Sequence, residues 1–340
     1  MNPVVSISCI TYNHAPYIRD ALDSFLSQRD VPFEVLIHDD HSTDGTEEII
    51  REYAAKFPGI IKPLYERENQ YSQGVTNISG VFNFPRASGR YIAMCEGDDF
   101  WNDPCKLKKQ ADYLDQHPEC SMVAHSAHIL SEDKAYRTSD LLRPYDGYRE
   151  LTPGEVISKE VNFPMASLMF LTEYAKALPE WYFDCPVGDI PLHLFMLLKG
   201  VVYYMDSPMA TYRMGRAGSW QQAMDDQRNT KDQNGVDAAG EAGKAAGKWE
   251  SHYRAMEKLF DAFNQDAGGI YERECEDALR RSRFLIDLKE GKFESVNNPA
   301  NEKYLRELPG REQKLLKLRA GAPGIYAMLQ KTYKTFTKQG

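Results

Sequence analysis

The chain has 340 residues, enough for one large domain with an appended one, or for two modest domains. Hydrophobic residues make up 42% of it and aromatic residues 11%, which is typical of a globular protein with a core and excludes a disordered chain. The formal net charge of −9 disfavours a nucleic-acid-binding protein.

The first 130 residues alternate short apolar runs with segments of helical periodicity, separated by polar turns. Strands are predicted over Val4–Ile10, Phe33–His38, Ile60–Glu66, Tyr91–Cys95 and Ser121–Ala127. Helices are predicted over Pro16–Gln28, Thr46–Lys56, Asn77–Ala87 and Pro104–His117. This order predicts an α/β protein with a parallel sheet and helices on both faces.

The pattern loosens from residue 130 to about residue 161 and then resumes. Phe163–Leu171 and Val201–Met205 are predicted strands on either side of a helix over Gly188–Lys199. Beyond residue 215 the pattern is mostly helical. We expect one domain over residues 1–215, with halves at about 1–130 and 131–215, followed by a helical C-terminal region over residues 216–340.

The cysteines form no C-x-x-C pair and have no histidine spacing typical of zinc, so we expect reduced thiols in a cytoplasmic protein. They are Cys9, Cys95, Cys105, Cys120, Cys185 and Cys275. The N-terminus has neither a basic n-region nor an apolar h-region, and no apolar run approaches membrane-spanning length. The sequence therefore predicts a cytoplasmic location, compatible with peripheral contact at the inner face of the membrane.

The strongest chemical signal is Glu96-Gly97-Asp98-Asp99, which places three carboxylates within four residues at the end of a predicted buried strand. Clustered carboxylates repel one another and lose hydration unless a cation or hydrogen-bond donors lie among them. Oxygen ligands of this kind suit a Mg²⁺ or Mn²⁺ ion that accompanies phosphates. The alternative is a solvated acidic turn ahead of the helix predicted from Pro104.

Polar residues also follow the first and second predicted strands. Thr11-Tyr12-Asn13 can stack on and hydrogen-bond a flat heterocycle, and Asp40 is an acceptor that suits the N3–H of uracil or thymine. Asp44 and Thr46 fit the turn and cap residues of the next helix. Ligands collect at the carboxyl ends of strands in open parallel sheets, so we expect one cleft. Each motif alone also fits an ordinary turn between a strand and a helix.

Together, T-Y-N at 11–13, D-D-H-S-T-D-G-T at 39–46 and E-G-D-D at 96–99 resemble glycosyltransferase family 2, whose members are inverting enzymes with the GT-A fold. The resemblance covers roughly residues 3–215. It implies a nucleotide-sugar site in the first half of this domain and an acceptor site in the second. It also implies that Thr11, Tyr12 and Asn13 bind the donor, with Thr11 and Tyr12 against the base, and that Asp40 contacts the pyrimidine.

The resemblance further implies a divalent metal ion, Mn²⁺ or Mg²⁺, that bridges the two phosphates of the donor. Asp99 is the expected metal ligand and Asp98 is shared between the ribose and the metal, whereas the part played by Glu96 stays open. In an inverting transfer the acceptor hydroxyl must lose a proton as it attacks. Asp189, in a segment that resembles the family's base-carrying helix, is the candidate base, with Asp184 as the alternative.

The segment Thr211–Trp220 combines two arginines with glycines and a serine, where the family often has a lid over the diphosphate. Arg213 and Ser219 are the predicted donor contacts in this segment. An ordinary surface loop is the alternative interpretation.

The end of the chain is basic. From Arg311 onward it has seven Lys or Arg residues and one Glu, mixed with apolar and aromatic residues. This pattern suits an amphipathic helix on an anionic membrane surface. Packing on the catalytic domain or on a second subunit of a homo-oligomer is the alternative.

These features predict a metal-dependent inverting glycosyltransferase that moves a hexosyl or N-acetylhexosaminyl group from a UDP-sugar to a hydroxyl of a saccharide, lipid-linked or protein-linked glycan. A sugar-phosphate nucleotidyltransferase is disfavoured because Asn13–Pro16 stands where a Gly-rich basic loop would be. A dinucleotide-dependent oxidoreductase is disfavoured as well, because the G-x-G-x-x-G that it needs after the first strand is absent from this sequence. The third alternative is an inactive relative that binds sugar or acts as a scaffold, although Asp40, Asp98, Asp99 and Asp189 together argue against it.

Overall fold

The computed structural model describes residues 3–131, 140–158, 163–215, 238–308 and 310–322, with the side chains of residues 238–249 and 289 left out. The chain divides into two compact units, one formed by residues 1–235 with 265–268 and the other by residues 236–264 with 269–340. The boundary expected after residue 215 stays a prediction, because residues 216–237 lie outside the described ranges.

The first unit is built on a ten-stranded sheet with helices around it. The strands are β1 (Val5–Thr11), β2 (Phe33–Asp39), β3 (Ile61–Tyr65), β4 (Tyr91–Met94), β5 (Phe100–Trp101), β6 (Cys120–Ser131), β7 (Leu141–Leu142), β8 (Arg149–Glu150), β9 (Met169–Leu171) and β10 (Val201–Met214). The helices are α1 (Ile18–Leu26), α2 (Thr46–Lys56), α3 (Lys106–Gln116), α4 (Pro153–Ile157), α5 (Thr172–Ala175), α6 (Glu180–Phe183) and α7 (Asp189–Lys199). The predicted α/β class is confirmed.

The sheet is mixed, which corrects the prediction of a parallel one. Its order is β3-β2-β1-β4-β9-β6-β10-β5. The first four strands are parallel, whereas β9 runs antiparallel to both of its neighbours. The direction of β9 follows from its end: Thr172, the next residue, donates its backbone N–H to the carbonyl of Arg90 just before β4, at 2.9 Å. Strand β9 therefore ends beside the start of β4.

Apolar side chains pack on both faces of the sheet because successive strand residues point to opposite sides. Ile7, Ile37 and Phe25 belong to the cluster that α1 covers. Leu36 and Leu192 belong to the cluster on the other side, where α7 packs. The helical spacing of the apolar residues thus places α1 and α7 against the sheet.

The helix predicted over Asn77–Ala87 is wrong. The chain instead forms a π-helical turn over Ser79–Asn83 and a 3₁₀ turn over Phe84–Arg86. Asn83 donates from Nδ2 to Ser8 Oγ and to the carbonyl of Cys9, both at 3.1 Å, and Pro85 lacks a backbone N–H. Binding to β1 therefore replaces the regular helical ladder here.

The second unit is helical, with α8 (Ala238–Asp266), α9 (Glu272–Glu290), α10 (Glu302–Glu307) and α11 (Gly310–Gly321). Its packed side chains include Phe284, Val296, Tyr304 and Leu305. Among the described residues, no helix has both the length and the apolar character needed to span a membrane. The basic end of the chain, from Arg311 onward, is described only as far as residue 322, and the membrane and oligomer contacts predicted for it stay predictions.

Lys106, at the start of α3, is completely buried. Its Nζ lies 4.0 Å from the ring centroid of Trp101 and has no hydrogen-bond partner within the described ranges. Burial lowers the pKa of Lys106 from 10.5 to about 7. A buried amine without a charged partner makes the stability of the fold depend on pH.

Replacing Lys106 by methionine removes this dependence. Below pH 10.5 the unfolded chain binds a proton on Lys106, whereas the folded protein binds it only below about pH 7. Between these values the unfolded state holds more protons, so the free energy of unfolding of the wild type rises with pH. We expect the free energy of unfolding of Lys106→Met, minus that of the wild type, to fall by about 2–4 kcal/mol between pH 7 and pH 10. Urea unfolding measures both values.

Lys108→Met is the matched control for this substitution. Lys108 lies on the same helix, its side chain is 41% exposed, and its amine pairs with Asp112. The unfolding free energy of this variant should follow that of the wild type across the same pH range. Parallel curves for Lys106→Met and the wild type would contradict a buried neutral amine.

Candidate active site

The carboxyl ends of β1, β2 and β4 meet at one edge of the sheet. Thr11 pairs with Asp39 at the ends of β1 and β2. The acidic turn after β4 joins them, since Gly97 donates its backbone N–H to the carbonyl of Ile10 at 2.9 Å. The edge therefore brings together the three motifs that lie at residues 11–13, 39–46 and 96–99.

The acidic turn lies directly against the end of β1. A Cβ atom at Gly97 would lie 2.9 Å from Cβ and Oγ1 of Thr11 and 2.9 Å from Cδ1 of Ile18. Any side chain at residue 97 would force Thr11 and Ile18 to move, which favours glycine at this position. This close approach fixes the position of the carboxylates on either side of Gly97.

The residues after β1 divide into an exposed and an anchoring group. Tyr12 is 45% exposed, which leaves its ring accessible for stacking. Asn13 has φ of 55°, and its Oδ1 accepts the backbone N–H of Thr43 at 2.8 Å while its own N–H donates to Ser42 Oγ at 2.9 Å. Asn13 therefore holds the loop that follows β2.

The turn role predicted for Asp44 agrees with the structure, whereas the cap role predicted for Thr46 does not, because Thr46 is the first residue of α2 and Gly45 occupies the N-cap. Asp44 accepts from the backbone N–H of Thr46 at 3.1 Å and of Ala15 at 3.0 Å. Thr46 Oγ1 in turn accepts the backbone N–H of His14 at 2.8 Å. These bonds tie the start of α2 to the segment that follows β1.

Asp39 and Asp40 are both buried and are held by different loops. Asp39 accepts from Oγ and the backbone N–H of Ser42, at 2.6 and 3.1 Å, and burial raises the pKa of Asp39. The two carboxylate oxygens of Asp40 accept the backbone N–H groups of Gln70 at 2.7 Å and Tyr71 at 3.1 Å. The predicted contact of Asp40 with a pyrimidine stays a prediction.

Asp98 and Asp99 lie in different environments. Asp99 is buried, and its Oδ1 accepts the backbone N–H of Arg213 at 2.9 Å, whereas its Oδ2 has no hydrogen-bond partner among the residues described. Burial and the negative charge of Asp98 raise the pKa of Asp99. The Asp98 side chain is 12% exposed, with Oδ2 3.9 Å from Nε2 of His14. Of the pair, Asp98 is the one that solvent reaches.

The side chain of Arg213, on β10, reaches the start of helix α1. Its guanidinium forms an ion pair with Asp20 at 2.5 Å and lies 4.9 Å from the ring centroid of Tyr17 and 5.4 Å from that of Phe100. The guanidinium is therefore occupied by protein groups, while the backbone N–H of the same residue supports Asp99. A diphosphate contact of Arg213 stays a prediction, and Ser219 lies outside the described residues.

Asp189 begins helix α7, and its Oδ1 accepts the backbone N–H of Ile190 at 2.9 Å. A carboxylate at this position is favoured by the helix dipole. Burial raises the pKa of the Tyr212 hydroxyl, and so do four negative charges around it, which belong to Asp99, Glu96, Asp98 and Asp189. Asp189 and the acidic turn thus act on the same hydroxyl, from separate parts of the sequence.

Tyr212 and the loop at Gln70–Tyr71 were missed as site residues. The predicted strand ended at Met205, whereas β10 continues to Met214 and carries Tyr212 and Arg213 to the site. The loop lies between strands, where the sequence shows no periodicity or charge cluster. The residues after Met205 do not alternate regularly between buried and exposed positions, so no signal in the sequence indicated Tyr212.

Within the described residues, no three or more His, Cys, Asp or Glu side chains are arranged to hold a metal ion. The acidic turn nevertheless has the donor atoms that a hard cation prefers, and Asp99 Oδ2 lacks a hydrogen-bond partner there. Mg²⁺ is commonly bound by one or two carboxylates together with the phosphates of a substrate, without a complete protein cage. The residues present therefore fit a cation that is shared with a ligand.

Known structures define the class of this fold. The crystal structure of S. aureus TarS 1–349 in complex with UDP-GlcNAc superposes with a TM-score of 0.55 at 18% identity, covering 97% of this chain and 91% of that chain. The architecture is the GT-A fold of glycosyltransferases, with a helical C-terminal region, as the sequence predicted.

Sequence comparisons define the family. Residues 6–171 match the model described as Glycosyl transferase family 2. The chain is 36% identical over 233 residues to an uncharacterized protein of Mycobacterium tuberculosis, covering 66% of this chain and 62% of that protein. It is 33% identical over 131 residues to TuaG of Bacillus subtilis, provisionally named a teichuronic acid biosynthesis glycosyltransferase, covering 38% of this chain and 49% of TuaG. Residues 6–171 belong to glycosyltransferase family 2, and the chain spans 62% or less of the length of these relatives.

Adding a methyl group at Gly97 tests whether the acidic turn depends on its contact with β1. We expect Gly97→Ala to lower the free energy of unfolding by about 1–3 kcal/mol, because Thr11 and Ile18 must move to accommodate Cβ. Gly59→Ala is the control, since a Cβ there has nothing within 4 Å. Urea unfolding measures both, and equal effects of the two substitutions would refute the close approach at Gly97.

Proposed function

We propose that this protein is a metal-dependent inverting glycosyltransferase that transfers a sugar from a UDP-sugar to a hydroxyl of a glycan or glycoconjugate. The observation that carries the proposal is the meeting of the ends of β1 and β2 with the acidic turn after β4, where Thr11 pairs with Asp39 and Gly97 bonds to Ile10. One carboxylate at a helix start and a separate carboxylate cluster give a displacement reaction its proton acceptor and its cation site.

The donor nucleotide is proposed to bind at the ends of β1 and β2. The exposed ring of Tyr12 can stack on the base, and Thr11 Oγ1 is a buried hydroxyl without a hydrogen-bond partner in the described ranges. Each Asp40 oxygen uses one acceptor direction for the loop at Gln70–Tyr71, and a carboxylate oxygen has two. This leaves capacity for the N3–H of uracil, which is the basis for proposing UDP.

Asp98 and Asp99 are the residues proposed to hold the divalent cation, Mn²⁺ or Mg²⁺. When bound, such a cation neutralises the diphosphate and makes it a better leaving group. Burial, followed by the charges of Asp98 and Glu96, raises the pKa of Asp99, and the backbone N–H of Arg213 opposes this effect. Solvent reaches Asp98, which suits contact with both the cation and the ribose.

Asp189 is proposed to accept the proton of the acceptor hydroxyl. The oxygen of that hydroxyl forms the new bond to the anomeric carbon on one face as the bond to the diphosphate oxygen breaks on the other, so the configuration inverts. The backbone N–H of Ile190 orients the carboxylate at the start of α7, where the helix dipole favours a negative charge. An acceptor at the cytoplasmic side of a membrane is consistent with this proposal.

The donor proposal is tested by titrating UDP, GDP and dTDP, and then UDP-sugars, into the protein by calorimetry with Mn²⁺ or with EDTA. We expect UDP to bind at least 10-fold more tightly with Mn²⁺, and Asp98→Asn and Asp99→Ala to remove this difference. Asp112→Asn is the charge-matched control, because Asp112 lies on α3 and pairs with Lys108. Equal UDP affinity with Mn²⁺ and EDTA in the wild type would overturn the metal proposal.

The base proposal is tested with Asp189→Asn. Without a proton acceptor we expect transfer to fall by about 10²- to 10⁴-fold, while the affinity for the donor stays within about 3-fold. Asp184→Asn, five residues earlier, tests the alternative base in the same assay of nucleotide release. Near-normal turnover by Asp189→Asn together with a loss in Asp184→Asn would move the role to Asp184.

A further inference from the structure

We propose that Asn77, assisted by Thr76, is a positioning residue that sets the placement of Asp189. The inference rests on the proposed role of Asp189 as the base. It concerns a contact between the connection that follows β3 and the loop that precedes α7, two segments about 105 residues apart in the chain.

The two side chains bind backbone carbonyls ahead of α7. Asn77 Nδ2 donates to the carbonyls of Tyr182 at 2.7 Å and Cys185 at 3.2 Å. Thr76 Oγ1 donates to the carbonyl of Cys185 at 2.9 Å. Asn77 is 4% exposed, so these bonds are shielded from water. They fix the loop that leads into Gly188 and Asp189.

The same amide also meets the first residue before the helix. A Cβ atom at Gly188 would lie 2.9 Å from Asn77 Oδ1, so a larger residue there would displace the amide. Asn77 Oδ1 is buried and has no hydrogen-bond partner within the described part of the chain. An unpaired buried oxygen is costly, about 1–3 kcal/mol, and calls for an explanation. We attribute this cost to the role of the Asn77 amide in placing the start of α7.

A neutral amide suits this task. A base must lie within hydrogen-bond reach of the proton it accepts, and a displacement of about 1 Å can cost 10²-fold in rate. A charged side chain beside the start of α7 would change the proton affinity of Asp189 as well as its position. Asn77 holds the backbone without adding charge. A second contact reinforces it, because a Cβ at Gly80 would lie 2.7 Å from Cε1 of Tyr182.

The test compares Asn77→Ala with Asn83→Ala. Asn83 is an equally buried asparagine in the same connection, but its Nδ2 bonds to Ser8 and Cys9 on β1. For Asn77→Ala we expect kcat for nucleotide release to fall about 10- to 100-fold, with KM for the donor within about 3-fold. Asn83→Ala should lower Tm about as much as Asn77→Ala does, but it should keep kcat within about 3-fold of the wild type. Thr76→Val should give a smaller loss of kcat than Asn77→Ala.

Hydrogen exchange provides a readout that does not depend on turnover. The peptide that covers residues 180–192 should exchange faster in Asn77→Ala than in the wild type or in Asn83→Ala. Equal losses of kcat in Asn77→Ala and Asn83→Ala, or unchanged exchange in this peptide, would overturn the inference.

Asp189→Asn, measured alongside, separates the two proposals. If this variant loses transfer while Asn77→Ala keeps its kcat, the positioning role fails and the proposed function stands. If Asp189→Asn retains turnover, the base assignment fails, and the inference falls with it even where exchange is faster.

Discussion

Burial of carboxylates at one edge of the sheet is the constraint on which the site depends. A carboxylate removed from water must be hydrogen-bonded or neutralised. Here Asp39 is bonded by Ser42, Asp40 by the backbone of Gln70–Tyr71, and Asp99 by the backbone N–H of Arg213. Two loops, at Ser42 and at Gln70–Tyr71, and strand β10 are therefore hydrogen-bonded to buried acids at this edge.

The connection between β3 and β4 extends this arrangement across the site. Gln70 and Tyr71 bind Asp40 on the nucleotide side, and Asn77 binds the loop before α7. Asn83 then returns the chain to β1. This one segment thus contacts Asp40, which is proposed to bind the nucleobase, and the loop before Asp189, which is proposed to accept the proton. Its irregular turns include Pro85, which lacks the backbone N–H of a regular helical ladder.

The sequence was sufficient where structure depends on local pattern, and insufficient where it depends on distant contacts. Helix α2 has the predicted bounds Thr46–Lys56, and the three strand-end motifs meet as expected. The helix predicted over Asn77–Ala87 failed because the side chains of that segment bind other backbones. The end of β10 was missed because its pairing with β6 shifts register between Met205 and Ala210, which interrupts the alternation. Asn77 carried no signal, since its partners lie more than 100 residues away.

Charge balance links the buried acids to the proposed cation. A donor diphosphate would add negative charge to an edge that already holds Glu96, Asp98 and Asp99. The guanidinium of Arg213 forms an ion pair with Asp20 and lies near the ring of Tyr17. The negative charge of Asp20 therefore already offsets its positive charge before a donor binds. Repulsion between the diphosphate and the acidic turn would then oppose binding unless a cation lies between them. Because Asp20 already offsets the charge of the Arg213 guanidinium, the uncompensated acidic turn is the physical reason for proposing that donor affinity depends on a divalent metal.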